Sequence, residues 1–181
     1  MIILLDGLNC TGKSTLATAF SERLQIPVVK FNVPGPDPYT EFSERLQAAV
    51  ADVRHFIVDR LHLSNYAYNG WLGGGVLNPV EWAKIDQLIS EQTAVLYWMV
   101  DTPHAIEQRL MERQGRNDGA ERLDRGWLAT IHDRFEEAYR RSTILNKGSF
   151  MLPQFIQDEQ PTAQFLENLR VLRMLIAGMA Y

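Results

Sequence analysis

Near its N-terminus the chain runs from an apolar stretch, Ile2-Ile3-Leu4-Leu5, straight into Gly7-Leu8-Asn9-Cys10-Thr11-Gly12-Lys13-Ser14. A helical pattern follows, with Leu16, Phe20 and Leu24 on one face. The glycines and the Lys-Ser pair fit G-x-x-x-x-G-K-[ST], and a strand before and a helix after are the context that pattern requires. This constrains the fold severely. A buried strand must end where a glycine-rich turn hands the chain to a helix whose N-terminus faces outward. Gly7 and Gly12 let the backbone come close to a phosphate. Free N–H groups and the helix terminus supply positive potential for an anion. Lys13 is expected to reach the β- and γ-phosphates of a nucleoside triphosphate, and the Ser14 hydroxyl to bind Mg²⁺. Asn9, Cys10, Thr11 and Thr15 complete the expected ATP-binding set, Thr15 lying near the α-phosphate.

The rest of the chain alternates short apolar runs with helical patterns. Strands are expected at Val28 to Phe31, Phe56 to Asp59, Ala94 to Val100 and Phe150 to Leu152. Helices are expected at Tyr39 to Asp52, with Phe42, Leu46, Ala49 and Val50 on the apolar face, and at Leu63 to Trp71, ended by Gly73-Gly74-Gly75. Others are expected at Val80 to Glu91, from Pro103 to about Arg113, from the region of Arg122 and Arg125 to about Ser142, and at Thr162 to Ala177. Strands alternating with helices predict an α/β fold, its parallel five-stranded sheet covered on both sides. At 181 residues the chain fits one domain, 1–181, with a small mobile segment at about 113–125.

Composition narrows the function classes. A formal charge of −4 with no dominant basic stripe makes nucleic acid an unlikely partner. Cys10 is the only cysteine, which excludes an internal disulfide and suits a reducing, cytoplasmic setting. The apolar run at the N-terminus is too short for a signal peptide or membrane span. Within the phosphate loop Cys10 reads best as a small filler. Apolar faces such as Leu88-Ile89 or Leu172-Leu175-Ile176 would serve a homodimer or a core equally well.

Two further clusters carry chemistry. Ligands in such sheets bind at the carboxyl ends of the strands, and Asp59-Arg60 ends the third. A carboxylate there can hold Mg²⁺ or accept a proton, and an arginine can fork onto an acceptor phosphate. Arg109 and Arg113 share a helix face, and Arg116, Arg122 and Arg125 follow. Arginines on a segment that closes over ATP would stabilise charge on the transferring phosphoryl group. Arg113, Arg116 and Arg122 are the favoured contacts, with Glu107, Glu112, Glu121 and Asp124 as partners for the rest.

The stretch Val58-Asp59-Arg60-Leu61-His62-Leu63-Ser64-Asn65-Tyr66-Ala67-Tyr68-Asn69-Gly70 resembles the Asp-Arg-x-x-x-Ser-x-x-Ala-Tyr-Gln-Gly motif of thymidylate kinases. The phosphate loop, with Asp6 where a Glu is usual, is similar to theirs, as are Val100-Asp101-Thr102-Pro103 and the run from Arg122 to Tyr139. The resemblance implies a three-layer P-loop kinase fold with an arginine-bearing lid, and transfer of a phosphoryl group from ATP, with Mg²⁺, to a (deoxy)nucleoside monophosphate, dTMP-like. It implies that Arg60 holds the acceptor phosphate, that Asn9 contacts the acceptor sugar, that Tyr68 packs on that sugar and disfavours a 2′-hydroxyl, and that Asn69 contacts the base. With no arginine between Gly7 and Gly12, the lid supplies the cations, as in the bacterial arrangement.

The family's Arg-Glu-Pro-Gly-Gly motif is replaced here by Phe31-Asn32-Val33-Pro34-Gly35, and the stretch to Asp59 is shorter. The helix that brings a base-stacking phenylalanine is therefore expected to be missing. Phe31, Tyr39, Tyr66 and Trp71 are candidate replacements for stacking, though each reads better as core packing. Viral-type deoxynucleoside monophosphate kinases, and kinases of modified pyrimidine nucleotides, share this shortened form. Two alternatives stay open. A hydroxyl acceptor (a nucleoside, a hydroxymethylated pyrimidine in DNA or a small metabolite) would make Asp59 the general base. A nucleotide-gated binding module would have no acceptor at all.

Overall fold

The computed structural model describes residues 1–31, 34–69, 74–114 and 125–178, with backbone alone at 113, 114 and 125. Five parallel strands, β1 (Ile2–Gly7), β2 (Val28–Lys30), β3 (Phe56–Asp59), β4 (Ala94–Met99) and β5 (Asn146–Phe150), form one sheet in the order β2-β3-β1-β4-β5. Seven helices among the described residues flank it: α1 (Lys13–Leu24), α2 (Pro38–Asp52), α3 (His62–Tyr68), α4 (Pro79–Ser90), α5 (Pro103–Gln114), α6 (Arg125–Arg141) and α7 (Ala163–Ile176). None is long and apolar enough to cross a membrane.

The central strands are apolar at nearly every position because helices cover both faces. Alternate residues of β1 enter different cores. Ile2 and Leu4 join Phe56, Val58, Leu96 and Trp98 under α2, α3, α4 and α6. Ile3 and Leu5 join Ile57, Tyr97 and Met99 under α1 and α7.

Most helix ends carry their signals. Asp37 caps α2 by accepting the Thr40 N–H at 3.1 Å, with Pro38 in the first turn. Asn78 and Glu81 form a capping box on α4. Thr162 caps α7 through the Phe165 N–H at 3.1 Å.

Several boundaries differ from the sequence expectation. The fifth strand is Asn146–Phe150, paired with Val95–Met99, and not Phe150 to Leu152. It is an edge strand of polar residues, so hydropathy does not mark it; Leu152 instead begins a 3₁₀ turn, Leu152–Gln154. Helix α3 stops at Tyr68, short of Trp71, because Asn69 turns left-handed at φ 45°. Val50 is 37% exposed and lies off the buried stripe of α2 that Phe42 and Leu46 define. A small hairpin, β6 (Ile156–Gln157) and β7 (Gln160–Pro161), was not expected. Its two turn residues, Asp158 and Glu159, both have positive φ, 49° and 63°, which suits a tight two-residue turn but not the usual residue types for one.

Asp86, 1% exposed, binds three elements together. Its carboxylate accepts from His62 Nε2 at 2.9 Å, Ser142 Oγ at 2.7 Å, and the Thr143 N–H and Oγ1 each at 2.6 Å. Burial alone would raise its pKa. The hydrogen bond and charge of His62 and the bonds from Thr143 overcome that and lower it from 3.8 to about 2. A carboxylate depressed in the folded state stabilises above its unfolded pKa, and that stability is lost as pH falls through the folded value. We therefore expect stability attributable to Asp86 to be complete above about pH 4 and to fade toward pH 2. Asp86→Ala should cost about 3 kcal/mol at neutral pH. Thermal melts of both proteins down to pH 2 should show the gap closing, and a constant gap would contradict this.

Candidate active site

The loop from β1 to α1 has the backbone its glycines permit. Gly7, Cys10 and Gly12 adopt φ of 141°, 62° and 87°. A β-carbon on Gly7 would stand 2.2 Å from the Met99 carbonyl oxygen, so β4 leaves no room for one. Gly12 lies under Leu152, whose Cδ2 would be 2.6 Å from an added β-carbon. The N-terminus of α1 has no side-chain cap and no acid in its first turn. An uncapped, acid-free helix end behind a turn of glycines is an anion seat.

Lys13 is only 4% exposed. Its Nζ donates to the Gly7 carbonyl at 2.8 Å and to the Leu8 carbonyl. Thr11 is fully buried and donates from Oγ1 to the Leu8 carbonyl at 2.8 Å. Thr11 thus braces the loop, whereas Ser14 and Thr15 are exposed at its mouth. The Asn9 N–H donates to the Tyr68 hydroxyl at 3.0 Å. The Arg109 guanidinium donates to the Cys10 carbonyl at 2.7 Å and pairs with Asp101 at 2.7 Å. Arg109 therefore ties the loop to the segment leading into α5. Cys10 itself is half-buried.

The carboxyl end of β3 meets this loop. Ser14 Oγ donates to Asp59 Oδ2 at 2.9 Å. Asp59 is 6% exposed, and its Oδ1 is buried with no hydrogen-bond partner among the described residues. An orphaned carboxylate oxygen beside a serine hydroxyl is the donor set a hard divalent cation takes, all oxygen and partly anionic. The residues present therefore fit Mg²⁺. Next to it, Arg60 is left-handed at φ 70°, a conformation costly for a side chain of this size. Its N–H donates to the Leu5 carbonyl at 3.0 Å. Its half-buried guanidinium makes no hydrogen bond or ion pair among the described residues.

Asp6 is what holds this corner. It is fully buried, and its carboxylate accepts from the Gly7 N–H at 2.9 Å, the Leu61 and Ser64 N–H groups at 3.2 Å each, and the Ser64 hydroxyl. Four donors make a buried carboxylate tolerable. Together they fix the start of α3, and so Arg60, against the phosphate loop. The sequence marked Asp6 only as a variation of the motif. An acid closing an apolar strand, with Ser64 five residues past Asp59, was the available signal.

The acceptor candidates are placed as follows. Phe31 is 5% exposed, with Phe42 edge-on at 5.7 Å and the Arg45 guanidinium 5.1 Å from its centroid. Tyr68 is 4% exposed and meets Phe135 edge-on at 5.7 Å, so the core takes its ring and the loop its hydroxyl. Asn69 is exposed at the end of α3. Tyr39 lies under Lys84, and Tyr66 under Arg141. Arg116, Arg122 and Trp71, and the side chains of Arg113 and Arg125, lie outside the described residues, and with them most of the expected lid.

No family model matches the sequence, and no curated protein matches it. Solved structures do. The YorR protein from Bacillus subtilis, in complex with phosphorylated GDP, superposes with a TM-score of 0.76 at 22% identity over 100% of both chains. Deoxyadenosine kinase from M. mycoides with bound dATP gives 0.61 at 15% identity, over 96% of this chain and 100% of that one. The same enzyme with dCMP and dCDP gives 0.58 at 14% identity, over 98% and 100%. The fold is the one these solved structures share, a parallel five-stranded sheet flanked by helices. At these identities the likeness speaks for architecture, and chemistry has to be argued from the site.

Proposed function

We propose that the protein transfers the γ-phosphoryl group of ATP to a (deoxy)nucleoside monophosphate, with a pyrimidine such as dTMP as the first candidate. The observation that carries this is the junction of the two strand ends. Ser14 of the phosphate loop is bonded to Asp59 at 2.9 Å, and Arg60, whose guanidinium has no partner among the described residues, stands next in the chain. A cation held beside a triphosphate seat has no use for a loop that binds ATP alone; it suits a second anion arriving there. The solved neighbours support the coarser reading, since each holds a nucleotide.

In this reading Gly7, Asn9, Cys10, Thr11, Gly12, Lys13, Ser14 and Thr15 surround the ATP phosphates. Ser14 and Asp59 hold Mg²⁺, which when bound neutralises charge on the phosphates. Lys13 leaves the loop carbonyls for the transferring group, and Arg60 grips the acceptor phosphate. The lid at about 113–125 brings Arg113, Arg116 and Arg122 over the site. Phe31, Tyr68, Asn69 and Asn9 border the acceptor. The partner is a small-molecule nucleotide rather than nucleic acid; Ile89 and Leu172, both 0% exposed, belong to the cores, so a homodimer would have to use other surfaces.

A second reading has a specific observation behind it. Asp59 Oδ1 is free of partners among the described residues and can take a proton, as a general base for a hydroxyl acceptor must. One kinase among the structural neighbours is named for a nucleoside. ADP release from Mg·ATP should be measured against all common ribo- and deoxynucleoside monophosphates, the nucleosides, hydroxymethyl-dUMP and hydroxymethyluracil-containing DNA. Turnover with one or two monophosphates is the expected result. Turnover confined to nucleosides or DNA would replace the first reading by the second.

A further inference from the structure

The two loops on the β2 side of the sheet are built as one piece. The Gly75 N–H donates to the Gly35 carbonyl at 2.9 Å, joining the segment before α4 to the segment before α2. Their fit is close. A β-carbon at position 75 would stand 2.5 Å from the Pro36 carbonyl oxygen and 2.6 Å from Pro38 Cδ. Each side of the joint is held by a side chain from a helix. Glu41 of α2 accepts the Gly35 N–H at 2.8 Å. Asn65 of α3 donates from Nδ2 to the Gly75 carbonyl at 2.9 Å and accepts the Leu77 N–H at Oδ1 at 2.8 Å. Asn65 is 8% exposed and its bond to the Leu77 N–H is buried, so a lost partner there is costly.

The position of this joint matters. Asn65 lies on α3, five residues after Arg60 and next to Ser64, which Asp6 anchors. The Gly35 segment follows the carboxyl end of β2, where the Phe31 N–H donates to the Asp59 carbonyl at 3.3 Å. One carboxamide thus links the element that sets Arg60 directly to the 74–77 loop, and through the Gly75 N–H to the Gly35 loop.

We propose that Asn65 is a positioning residue that fixes the wall of the acceptor site, made of residues 34–37 and 74–77, relative to Arg60. It touches neither ATP nor acceptor. It sets the distance between the residue that grips the acceptor and the surface against which the rest of the acceptor lies. This rests on the reading that the acceptor binds beyond the carboxyl ends of β2 and β3. The wall is pre-organised on the folded domain, so a misfit acceptor is rejected by geometry rather than by closure.

The test is Asn65→Ala, with Gly75→Ala as an independent way to open the same joint and Asn65→Asp as the conservative variant. The KM for the acceptor found in the panel should rise about 10-fold or more, with kcat and the KM for ATP within about 2-fold of wild type. Asn65→Asp keeps the acceptor for the Leu77 N–H and should fall between. Equal rises in both KM values, a fall in kcat alone, or no change would overturn the proposal. Amide hydrogen exchange at Gly35, Gly75 and Leu77 provides a readout that needs no activity. In Asn65→Ala all three should lose protection together while the amides of β1 keep theirs, and unchanged protection at Gly35 would overturn the joint itself. If wild type turned over no acceptor, the proposed function would fail while this exchange result still decided the coupling.

Discussion

Lys13→Ala should reduce kcat by about 10³-fold or more while the protein remains folded. The size of the effect follows from where the ammonium lies. Its Nζ is buried against the Gly7 and Leu8 carbonyls, inside the loop that would receive the phosphates. Lys13→Arg should be nearly as poor. A planar fork of five donors does not fit a space that leaves lysine 4% exposed. Removing the ammonium also takes a donor from the Gly7 carbonyl, a cost of roughly 1–3 kcal/mol, while the Leu8 carbonyl keeps the Thr11 hydroxyl. A modest drop in melting temperature should therefore accompany the loss of rate. Single-turnover kinetics with saturating ATP separates the two effects. Retention of a tenth of the wild-type rate would mean that the loop does not place its lysine on the transferring group.

Asp59 gives the second large effect, and its size distinguishes the two acceptor chemistries. Asp59→Asn keeps the shape of the side chain and can still accept from Ser14, but it removes the charge and the basic Oδ1. An anionic phosphate acceptor needs no proton taken from it. In that case the loss should be about 10²-fold, with the dependence on Mg²⁺ concentration shifted upward. A hydroxyl acceptor must give up its proton, and the loss should then approach 10⁴-fold. Rates of wild type and variant across Mg²⁺ concentrations, with the preferred acceptor, distinguish the cases. An unaltered Mg²⁺ dependence would remove Asp59 from the cation's surroundings.

The sequence carried the central part of this fold in plain form. Strands β1, β3 and β4 are apolar because they are covered on both faces, and Gly7, Gly12, Lys13 and Ser14 stand in a spacing that few other structures require. Asp59-Arg60 was legible for the same reason, as polar residues ending an apolar strand. Strand β5 was not, because an edge strand of Asn146-Lys147-Gly148-Ser149 owes its conformation to pairing with β4 and not to its own hydropathy. The end of α3 was missed because an asparagine can leave a helix left-handed where glycine is the usual signal. Asp6 and Asn65 escaped for a different reason. Each acts by hydrogen bonds to main-chain groups brought close by tertiary structure, and Leu61 lies 55 residues from Asp6. No local pattern encodes such partners.

Alternate residues of β1 feed two separate cores, one beneath α1 and α7, the other beneath α2, α3, α4 and α6. The sheet is therefore a watershed for mutational change. Apolar residues under α2, α4 and α6 can be resized without meeting those that seat α1 and α7 on the opposite face, while Asp6 and Tyr68 keep α3 tied to the phosphate loop. If the proposed function holds, the acceptor side can vary while the ATP side stays fixed.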